Sequence, residues 1–354
     1  MKNKKIYLFG FSKWKRNFIK PFFPDSELIF VEDYRKVPKN VSLYIWGMKD
    51  NIELLNFCKE NFIKISKVED GFIRSISLGS DLTRPYSLIV DSSGIYIDPR
   101  TSSDLENILQ NSDFDAKIKD EAKKLVEKIL ENKFSKYNSL SHKNIKLHTT
   151  ENQKIILIPA QVEDDASMIY GGLGFDTLKL LQTVRQNNQD AFIIYKTHPD
   201  VVSGNRKGLK DRNIILKYCD KVLEDISIDS AISLCDEVHT ITSTAGFDAL
   251  LRNKKVFTYG MPFYAGWGLT NDFNKCTRRT KVLDLYSLCV GVFLLYPKYV
   301  NPKTKKLCSA NETLDELLEL QNRYFNDKSY RITINLKTYI LRKIRRCIEF
   351  VLQK

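Results

Sequence analysis

Short apolar runs recur from the start of the chain, at 6–9, 28–31, 43–46 and 86–90, separated by polar turns or helix-like stretches. The alternation predicts strands interleaved with helices, an α/β unit. Asp91-Ser-Ser-Gly94 between SLIV and IYID supplies turn residues between two strand-like runs and predicts a local hairpin. Helix-like segments come next, near 103–110 and 116–132. The stretch 133–153 is polar, charged and without apolar period, as expected of a link between domains. Beyond it the alternation restarts, with strand runs at 155–158, 192–195, 238–241 and 256–259 and helices at 176–185, 228–234 and 245–252. That predicts a second α/β unit of Rossmann type. Two such units facing one another create a cleft outside the carboxyl ends of their strands. The expected domains are residues 1–150, 151–310 and a C-terminal tail of 311–354.

The length of 354 residues supports two domains with separate cores. With 43% apolar and 28% charged residues, wholesale disorder and collagen-like repeats are excluded. The most apolar stretch, 287–296 (SLCVGVFLLY), is half the length of a membrane span and reads as a buried helix. The basic start MKNKK is followed by too short an apolar run for a signal peptide, so the first strand is expected there. Seven cysteines, odd in number, scattered and never in CxxC spacing, argue against a disulfide framework or structural zinc and for a reducing cytoplasm.

Net charge is +13, which raises nucleic acid, an anionic membrane surface and an anionic substrate as partners. Residues 328–354 carry eight Lys and Arg against Glu349 alone, so about half of the excess is in the tail. There Leu336, Ile340, Ile344, Cys347, Ile348 and Val351 recur at helical spacing, with Arg342, Arg345 and Arg346 on or beside the opposite face. A basic amphipathic helix of this kind either lies on anionic lipid or docks on the body. No helix-turn-helix, zinc-finger or RNP-type pattern supports nucleic acid.

The chemistry-bearing motifs fall just after strands. Glu69-Asp70-Gly71 follows KISKV and offers a general acid or base, or an ordinary acidic turn at a glycine. Gln161-Val162-Glu163-Asp164-Asp165-Ala166-Ser167 follows the strand ending at Pro159 and supplies three carboxylates as nucleophile, proton acceptor or metal ligand. Gly171-Gly-Leu-Gly174 lacks both the dinucleotide spacing and a P-loop lysine, and reads as a flexible loop. Lys196-Thr197-His198-Pro199 ends a strand and places a cation and an imidazole where an anion would bind. Of His142, His148, His198 and His239, His198 is the best placed. Thr242-Ser243-Thr244 opens a helix, either as a plain N-cap or as an anion site. The segment MPFYAGWGLT at 261–270 reads either as a tight loop beside a base or sugar or as aromatic core.

The order acid-acid-Gly, His-Pro, Ser/Thr resembles the signature motifs of GT-B bacterial sialyltransferases. EDGFIRSISLG, QVEDDAS, YKTHPDVVSG, TSTAGFDALLR and YGMPFYAGWGLT resemble more closely the capsule polysaccharide Kdo transferases of the KpsC or LipB type, over about Glu69 to Pro302. Familiar members carry two such modules in tandem and have Pro where this chain has Thr197, whereas this sequence has one module. The resemblance implies a GT-B-like fold and a retaining transferase moving Kdo from CMP-Kdo to a Kdo-terminated glycolipid. It implies a carboxylate nucleophile, Asp165 with Asp164 second, and Asp70 or Glu69 as the base on the acceptor hydroxyl. Gln161, Lys196, His198, Thr242, Ser243 and Thr244 are the donor-binding candidates, with no metal or other cofactor. The implied setting is the cytoplasmic face of the membrane, with the basic tail on anionic lipid. Other readings are transfer of a different CMP-activated ulosonic acid, sugar-nucleotide epimerisation and non-catalytic binding in capsule assembly.

Overall fold

The computed structural model describes residues 4–76, 83–135, 145–202, 204, 206–336 and 339–340. Its strands are β1 (Lys4–Phe9), β2 (Ser26–Val31), β3 (Ser42–Trp46), β4 (Lys64–Asp70), β5 (Ser87–Asp91), β6 (Ile155–Pro159), β7 (Phe192–Lys196), β8 (Lys221–Leu223), β9 (Glu237–Thr240), β10 (Lys255–Thr258), β11 (Asn271–Asp272), β12 (Pro297–Val300) and β13 (Leu307–Cys308). The helices are α1 (Lys13–Ile19), α2 (Ile52–Glu60), α3 (Asp104–Asn111), α4 (Ala116–Glu131), α5 (Ala166–Gly171) and α6 (Thr177–Asn187). They continue with α7 (Pro199–Val202), α8 (Arg212–Ile215), α9 (Ile228–Ser233), α10 (Thr244–Leu251), α11 (Leu285–Cys289) and α12 (Ala310–Asn326).

The strands build two sheets, ordered β13-β12-β5-β4-β3-β1-β2 and β11-β10-β9-β6-β7-β8. All pairs of the second sheet are parallel. Its central strand β6 is apolar on both faces, with Ile156, Leu157 and Ile158 fully buried, as a parallel strand covered by helices on both sides requires. In the first sheet β2, β1, β3 and β4 run parallel, while β5 is antiparallel to both β4 and β12.

Local sequence explains the helices between these strands. In α4, Ala122, Leu125, Val126 and Ile129 are buried at helical spacing and Asp115 caps the first turn by accepting from the Ile118 amide. In α12, Ser309 and Glu312 form a reciprocal capping box ahead of the buried Leu314 and Leu317.

One expectation is corrected. The hairpin at 91–98 does not form, because the Asp91 carboxylate accepts from the amides of Ser93, Gly94 and Asp104 and ends the strand. Strands β12 and β13, within the 151–310 segment, extend the first sheet: β12 pairs with β5 and β13 with β12. Short runs such as Pro297–Val300 read alike in either sheet, and β5 offers them an edge to cover.

One apolar core runs between the sheets. Phe72 after β4 packs on Phe263 after β10 with ring centroids 4.8 Å apart, and Phe263 meets Phe247 of α10 at 5.4 Å. The 287–296 stretch is largely buried, as α11 and a π-helical turn (Val290–Leu295) directly after it. Beyond α12 the chain is helical at 328–336, and Ile332, Leu336, Tyr339 and Ile340 are exposed. Ile344, Cys347, Ile348, Val351 and the three arginines of the predicted amphipathic helix lie outside the described residues, as does His142. No helix among the described residues is long and apolar enough to cross a membrane.

Candidate active site

A cleft of about 400 Å³ opens between the carboxyl ends of the two sheets, within the range of small-molecule sites. Each sheet reverses its strand order there, β1 beside β3 in the first and β6 beside β9 in the second. Such switch points leave a crevice because successive connections leave in opposite directions. The second crevice holds most of the motifs that the strand pattern singled out.

Gln161, two residues beyond the end of β6, is buried and ties the crevice together. Its Oε1 accepts from the amides of Ile241 and Thr242 at 3.1 and 3.0 Å, and its Nε2 donates to Thr242 Oγ1 at 2.9 Å. Ser243 caps α10 by accepting from the Ala245 amide. The next turn is held by Gly246, where a Cβ would lie 2.2 Å from the Tyr264 hydroxyl that donates to the Ser243 carbonyl. Thr242, Ser243 and Thr244 all line the cleft.

His198 also lines the cleft. Burial pushes its pKa below the ordinary 6.5, against the opposing pull of Asp200, so the ring is neutral near pH 7. The Asp200 amide donates to Nδ1 at 3.1 Å, which assigns the ring hydrogen to Nε2. A neutral donor is therefore present where an anion would bind.

The three acids of QVEDDAS are not equivalent. Asp165 lines the cleft, caps α5 by accepting from Ser167 and lies 3.6 Å from an Arg206 nitrogen. Asp164 is paired with Arg206 at 3.3 Å and is not among the lining residues, and Glu163 accepts from the Thr177 amide at 3.1 Å. No group of three or more His, Cys, Asp or Glu side chains among the described residues has the geometry to hold a metal ion.

Lys196 departs from its expected place. The strand ends at this residue and the chain turns toward α7, so strand alternation does not carry over to His198. Lys196 is buried away from the cleft lining, its pKa pushed down to about 8 by burial, with Nζ donating to the Thr197 carbonyl.

The first sheet contributes the opposite wall. Glu69 and Asp70 are the last residues of β4 and both line the cleft. Asp70 is gripped by the fully buried Arg74 at 2.6 Å, and Arg74 is anchored on Ser75 and the Thr83 carbonyl. Gly71 is required by close approach rather than by a turn, since a Cβ would lie 2.4 Å from Ser87 Oγ. The aromatic loop serves two ends. Tyr264 and Trp267 are fully buried core, while Met261, Pro262 and Phe263 line the cleft.

Three lining residues, Trp14, Lys15 and Arg206, fall in none of the motifs, and Arg74 lies inside one of them without a role assigned to it. Trp14 and Lys15 open a helix after β1 with no acid or glycine beside them, and Arg206 reaches Asp164 from a loop 42 residues on.

Fold and site define an α/β protein with a polar cleft between two sheets at their switch points. The chain belongs to the capsule polysaccharide biosynthesis protein family, whose model matches residues 42–285. It is 41% identical over 330 residues to the capsule polysaccharide modification protein LipA of Neisseria meningitidis serogroup A, covering 91% of this chain and 46% of that protein. The chain thus spans about half the length of the curated relatives it matches first. Two solved structures of Thermosulfurimonas dismutans KpsC are similar over 90% of this chain. The β Kdo 2,7 transferase is 36% identical, is covered in full and has a TM-score of 0.75. The β Kdo 2,4 transferase is 30% identical, is covered to 99% and has a TM-score of 0.79.

Proposed function

We propose that this chain is a retaining glycosyltransferase of capsule or related surface-glycan assembly that moves Kdo from CMP-Kdo to a Kdo-terminated lipid-linked acceptor. One observation carries the reading. Asp165, His198 and the Ser243 helix start share one wall of a cleft whose other wall presents Glu69 and Asp70, in a chain similar throughout to two Kdo transferase structures.

In this proposal the Asp165 carboxylate attacks C2 of the donor and the C2–O bond to CMP breaks. The leaving phosphate keeps the electron pair, and its charge is offset by His198 Nε2–H, the α10 start and Arg206. Asp70 or Glu69 then takes the proton of the acceptor hydroxyl, whose oxygen attacks C2 and displaces Asp165. Two inversions give net retention. The two units are proposed to face one another as in a GT-B enzyme. No metal is proposed, because Arg206, His198 and the α10 start line the cleft as candidates to offset the charge of the leaving phosphate.

The test is to incubate the chain with CMP-Kdo and a fluorescent Kdo-terminated glycolipid, with and without EDTA, and to read product mass and anomeric configuration. Addition of Kdo with retained configuration in both arms is expected. Intact acceptor and no CMP release by folded protein would remove the assignment. An inverted product would remove the double displacement, and arrest by EDTA would remove metal independence.

His198→Ala is expected to weaken CMP binding by about 10- to 100-fold, the worth of one hydrogen bond to a charged group, as measured by calorimetric titration. Unchanged affinity would take His198 out of the phosphate site.

The tail is proposed to hold the protein on an anionic membrane at the cytoplasmic face. In support, Ile332, Leu336, Tyr339 and Ile340 are exposed beside a segment rich in Lys and Arg. Truncation after Asn326 should release the protein from vesicles containing phosphatidylglycerol. Sedimentation of the truncated chain as before would refute membrane binding through the tail.

A further inference from the structure

The switch point of the first sheet has a lining of its own. β1 leaves into α1 and β3 ends at Trp46 beside it, so Trp14, Lys15 and Trp46 gather at the crevice. Trp46 is fixed by Phe11, whose ring meets it edge-on at 5.1 Å and 80°. Lys15 Nζ lies over the Trp46 ring, 3.2 Å from its centroid. Among the described residues the Lys15 ammonium makes no hydrogen bond and no ion pair within 4.0 Å, although the residue is half-buried and lines the cleft; only its backbone amide is bonded, to the Ser12 carbonyl. An ammonium resting on a ring face, with no hydrogen-bond acceptor of its own, keeps the N–H donors that point away from the ring available to a ligand. Trp14, half-buried on Phe18 at 5.2 Å, adds aromatic surface of the kind on which sugar C–H edges pack.

We propose that Lys15, carried on the Trp46 ring at the switch point of the first sheet, binds the carboxylate of an acidic acceptor sugar, with Trp14 as the wall of that subsite. The assignment to the acceptor rests on the proposed transferase reading, in which the second sheet holds the donor. It places the acceptor sugar beside Glu69 and Asp70, where its hydroxyl meets the base. Lys15 is then what distinguishes an acceptor ending in a keto-acid sugar from a neutral one.

The charged groups around Lys15 make the subsite pH-dependent. Burial lowers its pKa to about 8, against the pull of Glu69 and Asp70 and with the push of Arg74 and Lys49. Lys15 is charged below that pH and neutral above it, so affinity for a carboxylate is expected to fall as pH rises through about 8.

The experiment titrates the full chain, with Lys15→Met and Lys15→Arg, against the methyl glycoside of Kdo, its carboxyl-reduced alcohol and CMP-Kdo. Wild type is expected to prefer the acid to the alcohol by about tenfold or more, as a charge-assisted contact gives. Lys15→Met should lose that preference, Lys15→Arg should keep it with a flatter pH profile, and CMP-Kdo affinity should be unchanged in both. Equal binding of acid and alcohol by wild type, or no binding of either, overturns the proposal. Weakening of CMP-Kdo by Lys15→Met in step with the glycoside also overturns it, because the ammonium would then serve the donor. These readouts need no turnover, so failure of the transfer assay and failure of this subsite are separate results.

Discussion

Asp165→Asn is expected to lower the turnover number for transfer by on the order of 10⁴-fold or more, the scale on which removal of a nucleophile acts. Asn caps a helix about as well as Asp, so the acceptance from Ser167 that starts α5 is kept and the fold is left intact. What is lost is the negative charge that attacks C2. Wild type, incubated with CMP-Kdo alone, should carry a covalent Kdo adduct visible in the intact mass, and the Asn variant should not. Asp164→Asn is the paired control. Its carboxylate is engaged by Arg206 and is absent from the cleft lining, so an effect of about tenfold or less is expected, as for a residue that only positions others. An inert Asp164 variant beside an active Asp165 variant would reverse the assignment. Near-wild-type activity in both would remove the carboxylate nucleophile from this motif.

The second wall of the cleft was legible in the sequence because each of its parts is local. Gln161, Asp165, His198 and Ser243 each come within a few residues of the end of an apolar run, and a parallel strand delivers its next residues to the carboxyl edge of its sheet. Lys196 obeys the same rule one residue too early and ends inside the strand, a distance the period-two pattern does not resolve. The first wall was legible only through Glu69 and Asp70. Lys15 owes its place to β1 pairing with β3 rather than with its sequence neighbour alone, and nothing near Lys15 announces that pairing. The hairpin expected at Asp91 failed for a related reason. Its turn residues are real, but their hydrogen bonds go to the Asp91 carboxylate and β5 takes β4 and β12 as partners. A short apolar run states that it is a strand without stating which strand it joins.

Glu106→Ala is expected to destabilise the protein by roughly 3–5 kcal/mol, the scale for removing one partner of a buried ion pair. Glu106 reads in the sequence as an ordinary acid in the first turn of α3, where Ser103 accepts from its amide. Its side chain is buried and receives Arg279 Nε at 2.9 Å and Arg278 Nε at 2.6 Å, from residues 173 and 172 positions away. Arg279 is equally buried and donates to the carbonyls of Pro262 and Ala265, both at 2.7 Å, while Arg278 donates to the Pro99 carbonyl. Without Glu106 the Arg279 guanidinium keeps its two carbonyl acceptors and loses the charge that balances it. Arg278, being part-exposed, can turn to water. The cost therefore falls mainly on the Glu106–Arg279 pair, and a double-mutant cycle with Arg279→Met should give a coupling of about 2 kcal/mol or more in denaturant unfolding. Additive single effects would show that the pair contributes nothing beyond packing. The same contacts fix the loop that brings Pro262 and Phe263 to the cleft, so the Ala variant should also bind CMP more weakly at temperatures where it is still folded. A loss of stability with unchanged CMP affinity would separate the ion pair from the site and leave the loop held by the Phe72, Phe247 and Phe263 packing alone.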